Sequence, residues 1–237
     1  MNNARFSITI ERTRVVTILV CVVSVLALLN GLGLYLTFGL GYQYAKGFVP
    51  LFNLDNESNV PTYFSAMMLF AASFLFYWAS RYEISTGSKF SRHWTLLSFI
   101  FLLLSVDEAA SIHEKFIGPL RESFDLSGPL YFSWVLVGFA VVIIFAIYYY
   151  RFVLNLPGSI RTGMVLAGVI YLSGVLGLEL IDGNYVSLYG DGNLTYQLLT
   201  SCEELLEMTG VVILINVLLK HLHANRVRAE MIFDGKQ

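Results

Sequence analysis

The chain has 237 residues, 56% hydrophobic and 14% charged, with a formal net charge of -2 and a mean hydropathy of +0.66. That composition excludes an ordinary soluble domain, and 15 Lys and Arg against 17 Asp and Glu exclude a nucleic-acid-binding protein, which carries a basic surplus. An all-α integral membrane protein remains, a polytopic bundle, and the question becomes where its spans lie and why charge persists inside them.

The first apolar run follows Arg5, Arg12 and Arg14 and superficially resembles a secretory signal. It continues to about Leu40 and shows no convincing small-x-small cleavage site, so it reads as an uncleaved first span. A crossing needs about 20 apolar residues, and six stretches supply them: roughly 15–38, 62–82, 93–117, 129–150, 161–182 and 196–221. The expected organisation is one transmembrane domain over 1–237, ending in a short cytoplasmic tail at 222–237.

Lys and Arg set the orientation. With the N-terminus in the cytoplasm, twelve fall inside: Arg5, Arg12, Arg14, Arg81, Lys89, Arg92, Arg151, Arg161, Lys220, Arg226, Arg228 and Lys236. Only Lys46, Lys115 and Arg121 fall outside, so six spans with both termini inside are expected. Acids sort the other way: Glu11, Glu83, Glu230 and Asp234 are inside, while the other thirteen of 17 lie in outer loops or the outer ends of spans. Acidic residues contribute little to orientation, so this asymmetry needs its own cause.

Between the spans the signals are weaker. The first outer loop mixes aromatics with Asp55 and Glu57 between Pro50 and Pro61, and is expected to lie along the interface or to cap the acids. Asp182-Gly-Asn and Asp191-Gly-Asn in the fifth loop read as turns and lack the spacing of a calcium loop. Asn56-Glu-Ser58 and Asn193-Leu-Thr195 are glycosylation sequons, which matter only in a eukaryotic source. Trp78, Trp94, Trp134 and the Tyr148–Tyr150 run sit near span ends, as an aromatic belt does. Gly168, Gly174 and Gly177 would allow close helix contact in the fifth span. Cys21 and Cys202 fall in opposite halves of the membrane, so no disulfide is expected.

Three stretches concentrate the acids: Leu102–Glu114, Leu176–Asp182 and Thr200–Glu207. At about 1.5 Å of rise per residue, Asp107 lies about 21 Å and Glu114 about 31 Å above His93, and Glu179 about 27 Å above Arg161, against a hydrocarbon layer of about 30 Å. The sixth span runs inward, with Glu203, Glu204 and Glu207 in its first turns. All three stretches reach the outer third of the membrane.

On a continuous helix Asp107 and Glu114 point within about 20° of each other. Glu179 and Asp182 form an i, i+3 pair, and Glu203 and Glu207 an i, i+4 pair. Glu108 points a quarter turn from Asp107 and reads, with Glu122, Asp125 and Asp191, as a solvated helix-end charge. An acid at a span centre costs about 2.5–3.5 kcal/mol, less toward the interface. Six carboxylates (Asp107, Glu114, Glu179, Glu203, Glu204, Glu207) face only Lys115, Arg121 and His113, so the bases cannot neutralise the acids. Either some carboxyls hold protons or a cation sits among them. Polar stripes on several helices are how bundles build metal sites, which favours a divalent cation. The candidate metal ligands are Asp107, His113, Glu114, Glu179, Asp182, Glu203 and Glu207, and mostly oxygen donors with one imidazole leave Zn, Mg, Mn, Ca and Fe open.

With Asp-Glu-x-x-x-x-His-Glu at 107–114, Glu-Glu-x-x-Glu-x-x-Gly at 203–210 and Leu-Asp-x-Glu-x-x-x-Pro-Thr-x-x-Ser at 54–65, the chain resembles an uncharacterised family of multi-pass bacterial membrane proteins. The resemblance covers most of the membrane part and implies a bacterial inner membrane, with no activity attached. The ceramidase-like intramembrane hydrolases, whose zinc needs three histidines with Asp and Ser, are a poorer comparison, because only His113 falls on the outer side while His93, His221 and His223 fall inside.

Three functions fit such a pocket. As a metal-dependent hydrolase, the protein would act on a lipid or lipid-linked headgroup, with Glu204 as general base and His113 as ligand or proton acceptor. As a transporter or ion-coupled sensor, it would bind protons or cations in alternation. As an accessory subunit, it would offer the acids to a membrane-protein partner or a second copy. The partners expected are membrane lipid and a divalent cation, with no nucleic acid.

Overall fold

The computed structural model of the chain describes residues 6–7, 11–227 and 230–231. Among them six helices are long and apolar enough to cross a membrane: Arg12–Gly39, Val60–Ser85, Ser91–Ala110, Val135–Asn155, Gly158–Tyr189 and Leu194–Ala224. Each overlaps an expected span, with shifted ends. The helices are α1 (Arg12–Leu34, prolonged by a π-helical turn at Tyr35–Gly39), α2 (Phe48–Phe52), α3 (Val60–Ser85), α4 (Ser91–Ala110), α5 (Ile117–Phe124), α6 (Val135–Asn155), α7 (Gly158–Leu172), α8 (Glu179–Tyr189) and α9 (Leu194–Ala224). A π-helical stretch, Ser173–Leu178, joins α7 and α8 into one crossing. Phe6 pairs with Met231 and Ser7 with Glu230 in a two-residue antiparallel contact. Arg5, Arg228, Asp234 and Lys236 lie outside the described residues, as does much of 222–237; Leu222 to Ala224 continue α9.

Side chains set the helix starts. Asn59 caps α3 by accepting from the Thr62 N–H at 3.2 Å, and Pro61 stands in the first turn, where no N–H is needed. Asn193 caps α9 by accepting from the Tyr196 N–H at 3.1 Å and also accepts from the Tyr185 hydroxyl at 2.9 Å, which gives the second sequon asparagine a structural task.

α9 is the axis of the bundle. From Met208 to Leu219 its inward residues Val211, Val212, Ile215 and Leu218 pack with Ala72 and Phe76 of α3, Trp94 of α4 and Phe152 of α6. α7 crosses it closely because glycines stand at the contact. A Cβ on Gly210 would lie 2.8 Å from the Tyr171 backbone N and 3.0 Å from the Ala167 carbonyl, and one on Gly174 would lie 2.9 Å from the Glu203 carbonyl. Of the three glycines expected at this contact, Gly174 alone is there: Gly168 faces open space and Gly177 meets nothing nearer than 3.9 Å.

Hydroxyls tie α3 to α4. Ser73 donates to the Ser98 carbonyl at 2.7 Å, Ser105 donates to the Ala66 carbonyl at 2.8 Å, and Ser80 meets the Thr95 hydroxyl at 2.6 Å. At the Lys- and Arg-rich end, Trp94 stacks on His221 with ring centroids 4.7 Å apart, and His221 Nε2 is 3.6 Å from Glu83. Trp94 is thus a core residue and no interfacial anchor.

A carboxyl cluster at one end of the bundle

The third crossing stops earlier than the expected 93–117, because Ser111 takes a left-handed conformation (φ 47°, ψ 48°) that closes α4 at Ala110. Asp107 completes the turn: its Oδ1 accepts from the His113 backbone N–H at 2.9 Å and its Oδ2 meets His113 Nδ1 at 2.8 Å. Asp107 and Glu114 therefore share no helical stripe, since the seven-residue spacing loses its meaning across a helix break. The carboxylate partner fixes the imidazole with its proton on Nδ1 and leaves Nε2 as the free nitrogen. Burial disfavours the imidazolium, but the Asp107 hydrogen bond and the charges of Asp107, Glu114 and Glu179 outweigh it and raise the His113 pKa above its ordinary 6.5.

His113 leads to the next acid through an aromatic ring. Its centroid is 4.8 Å from that of Trp134, whose Nε1 donates to Glu179 at 2.7 Å. Glu179 is the first residue after the π-helical stretch, and a π turn inserts a residue that re-aims the side chains beyond it. One turn on, Asp182 is fully buried (0% exposed), and neither of its oxygens receives a donor. The group within hydrogen-bonding reach of it is another carboxyl, Glu203 of α9, which also reaches Glu179. Two carboxyls share a hydrogen bond only when one holds a proton.

Asp182-Gly-Asn is helical and not the turn expected. Gly183 serves close packing, because a Cβ there would be 3.3 Å from the Pro129 carbonyl. The turn lies further on, at Gly190–Asn193.

The remaining acids divide. Glu108 faces inward and, with Glu207, lines a small void between α3, α4, α7 and α9, so it is no solvated helix-end charge. Glu204 is half-buried on α9, next to Glu203. Glu114 is exposed and, with Pro50, Leu51, Asp55, Glu57 and Asn59, lines an open cleft of about 580 Å³. Residues 53–57 are latched to the start of α9: Asp55 accepts from the Tyr196 hydroxyl at 3.2 Å and from Gln197 Nε2 at 2.8 Å, and Asn53 donates to Gln197 Oε1 at 2.9 Å. Asn30 of α1 donates to Ser201 Oγ at 2.8 Å and accepts from the Leu54 N–H at 3.1 Å. The cleft it shares with Glu114 sets this loop against the acidic end of the bundle. Burial raises the Asp55 carboxyl pKa despite its two donors, and burial with the Glu114 charge raises that of Glu57.

The bases stay away. Among the described residues the ion pairs are Arg14–Glu11, His113–Asp107 and His221–Glu83, so no Lys or Arg meets a cluster carboxylate. Arg121 lies instead 4.2 Å over the Tyr131 ring. Sequence reasoning missed Glu108, Trp134 and Ser65. A signal for Ser65 stood in the 54–65 motif, which joins it to Asp55 and Glu57.

Fold and site define the class: a multi-pass helical membrane protein with a carboxyl cluster gathered between crossings at one end. Residues 15–222 match the family described as Domain of unknown function (DUF8692), and the chain belongs to it. No curated protein and no solved structure matches the chain.

Proposed function

We propose that this is a bacterial inner-membrane protein, both termini cytoplasmic, that binds a divalent cation in the carboxyl cluster at its periplasmic face and releases protons in doing so. The observation that carries the reading is Asp182, fully buried, with no donor on either oxygen and with Glu203 as its polar neighbour. A buried charge without a partner is costly, and protons or a cation are the ways to satisfy this group. The distribution of Lys and Arg, twelve against three, supports the orientation.

The donor chemistry fits such an ion. Glu179, Asp182 and Glu203 offer oxygens to Mg, Ca, Mn or Fe, and Asp107, His113 and Glu114 widen the set toward Zn. Among the described residues no three His, Cys, Asp or Glu side chains stand together at ligating distances. In this arrangement the carboxyls suit shared protons, and a cation entering would displace them.

A bound divalent cation would supply a Lewis acid and a more acidic water, the chemistry of a hydrolase acting on a lipid or lipid-linked headgroup. The chain's part is to hold His113 by Asp107 so that Nε2 accepts a proton, and to hold Glu179 by Trp134. His113, whose ring Asp107 fixes, is favoured here as proton acceptor over Glu204, the base expected from sequence. Transport would need a polar path to the other end. Beyond Glu207, α9 is packed by apolar side chains, and Ser73, Ser80 and Ser105 are all hydrogen-bonded, which favours the enzyme.

The test is elemental analysis of the purified protein, with thermal stability followed across added Mg, Mn, Ca and Zn and a chelator. The expected result is a saturable rise in Tm, reversed by chelator and lost in Asp182→Asn. Absence of metal together with an unchanged Tm would overturn the reading, and a stoichiometric co-purifying protein would favour the accessory-subunit alternative.

A further inference from the structure

Deeper in the bundle, four crossings meet around the void that Glu108 and Glu207 line. Ser65 of α3, Glu108 of α4, Tyr171 of α7 and Glu207 of α9 face it, with Met68 and Met208 on its apolar wall. Its volume is about 10 Å³, room for one water-sized body. Ser65 is 7% exposed and its Oγ has no hydrogen-bond partner. The other buried serines between α3 and α4, Ser73, Ser80 and Ser105, are all satisfied. An unpaired buried hydroxyl is unfavourable, and this one lines a space with two carboxyls and no base.

We propose that this void is a site for one dehydrated monovalent cation no larger than a water molecule, Na+, held by Ser65 Oγ and the carboxyls of Glu108 and Glu207. Charge and the number of oxygens select that ion. Two facing carboxyls repel; one positive charge between them, with one retained proton, neutralises the pair. Mg2+ keeps several waters and Ca2+ asks for six or more oxygens, for which the void has no room. K+, close to water in radius, would fit the space but takes more oxygens than the five that Ser65, Glu108 and Glu207 offer. Glu207, expected from sequence among the outer ligands, belongs to this inner set. The ion and its residues differ from those of the divalent reading, so the two stand or fall separately.

The test uses the full-length protein in detergent. Its Tm is followed as NaCl replaces KCl or choline chloride at constant ionic strength, and radioactive sodium measures binding directly. The expected result is a saturable rise specific to Na+, with about one ion bound per chain, weakened about tenfold or more (about 1.4 kcal/mol or more) in Ser65→Ala and Glu108→Gln and retained in Asp182→Asn. Equal responses to Na+ and K+ would mean that no site selects sodium, no bound sodium would mean that the void holds a structural water, and either would overturn the proposal, as would sodium binding unchanged in Ser65→Ala. Should Glu108→Gln fail to fold, Ser65→Ala decides alone, since it removes one oxygen and no charge. Sodium binding without any divalent response would leave this site standing and end the outer one.

Discussion

The two ends of the bundle handle buried acids in opposite ways. At the Lys- and Arg-rich end Glu83 has one imidazole, His221, at 3.6 Å, and Trp94 stacks over that imidazole. At the other end Glu179, Asp182, Glu203, Glu204, Glu207 and Glu108 gather and, among the described residues, no Lys or Arg pairs with them, while the nearby imidazole, His113, is already engaged by Asp107. A carboxyl facing one imidazole has a group at hand that can carry the opposite charge, although at 3.6 Å His221 Nε2 makes no hydrogen bond. An unmatched group is destabilising unless something else supplies positive charge. Burial of acids therefore does not separate structure from function here; the balance of partners does.

The largest effect tests the structural end. Trp94→Ala removes a fully buried indole packed on Phe76, Phe152 and His221, and thermal or denaturant unfolding in detergent should show a loss of about 3–5 kcal/mol. Trp134→Phe at the other end keeps the ring and loses the hydrogen bond to Glu179, so about 1–3 kcal/mol is expected.

Next in size is a pair of substitutions whose signs should differ. Glu83→Gln removes the charge facing His221 and should destabilise by about 1–3 kcal/mol. Asp182→Asn removes the need for a buried carboxyl there to share a proton with Glu203 and should stabilise the cation-free protein, by up to about 3 kcal/mol. Equal losses from both would erase the contrast between the ends.

The smallest effect is a pH dependence. Because the folded protein raises the His113 pKa above 6.5, the pair with Asp107 contributes fully below that ordinary value and fades as pH rises through the raised one. The stability difference between the wild type and His113→Gln should thus shrink by about 1 kcal/mol from pH 6 to pH 9. A difference that grows over that range would show the imidazole to be held neutral.

The six crossings were legible because long apolar runs have few other fates. The end of α4 was not. Ala109-Ala110-Ser111-Ile112 holds neither Gly nor Pro, and the break depends on Ser111 turning left-handed while Asp107 receives the His113 N–H. The quarter turn between Asp107 and Glu108 follows from sequence, but which of them faces inward depends on the neighbours of α4. Asp182-Gly-Asn carries a turn signal, yet its glycine answers a packing demand from the Pro129 carbonyl. The convergence of the acids at one end was readable from depth alone. Its division into a set around Asp182 and another around Glu108 was not, because it follows from the approach of α9 to α7 at Gly174 and Gly210.

The most direct measurement is the proton count on cation binding. Mn2+ or Mg2+ is added to weakly buffered purified protein and the pH change is read against a detergent blank. Protons should be released in saturable proportion to the cation bound, with fewer released by Asp182→Asn, since carboxyls that share protons must give them up to ligate. Cation addition without proton release and without a rise in Tm would contradict the account.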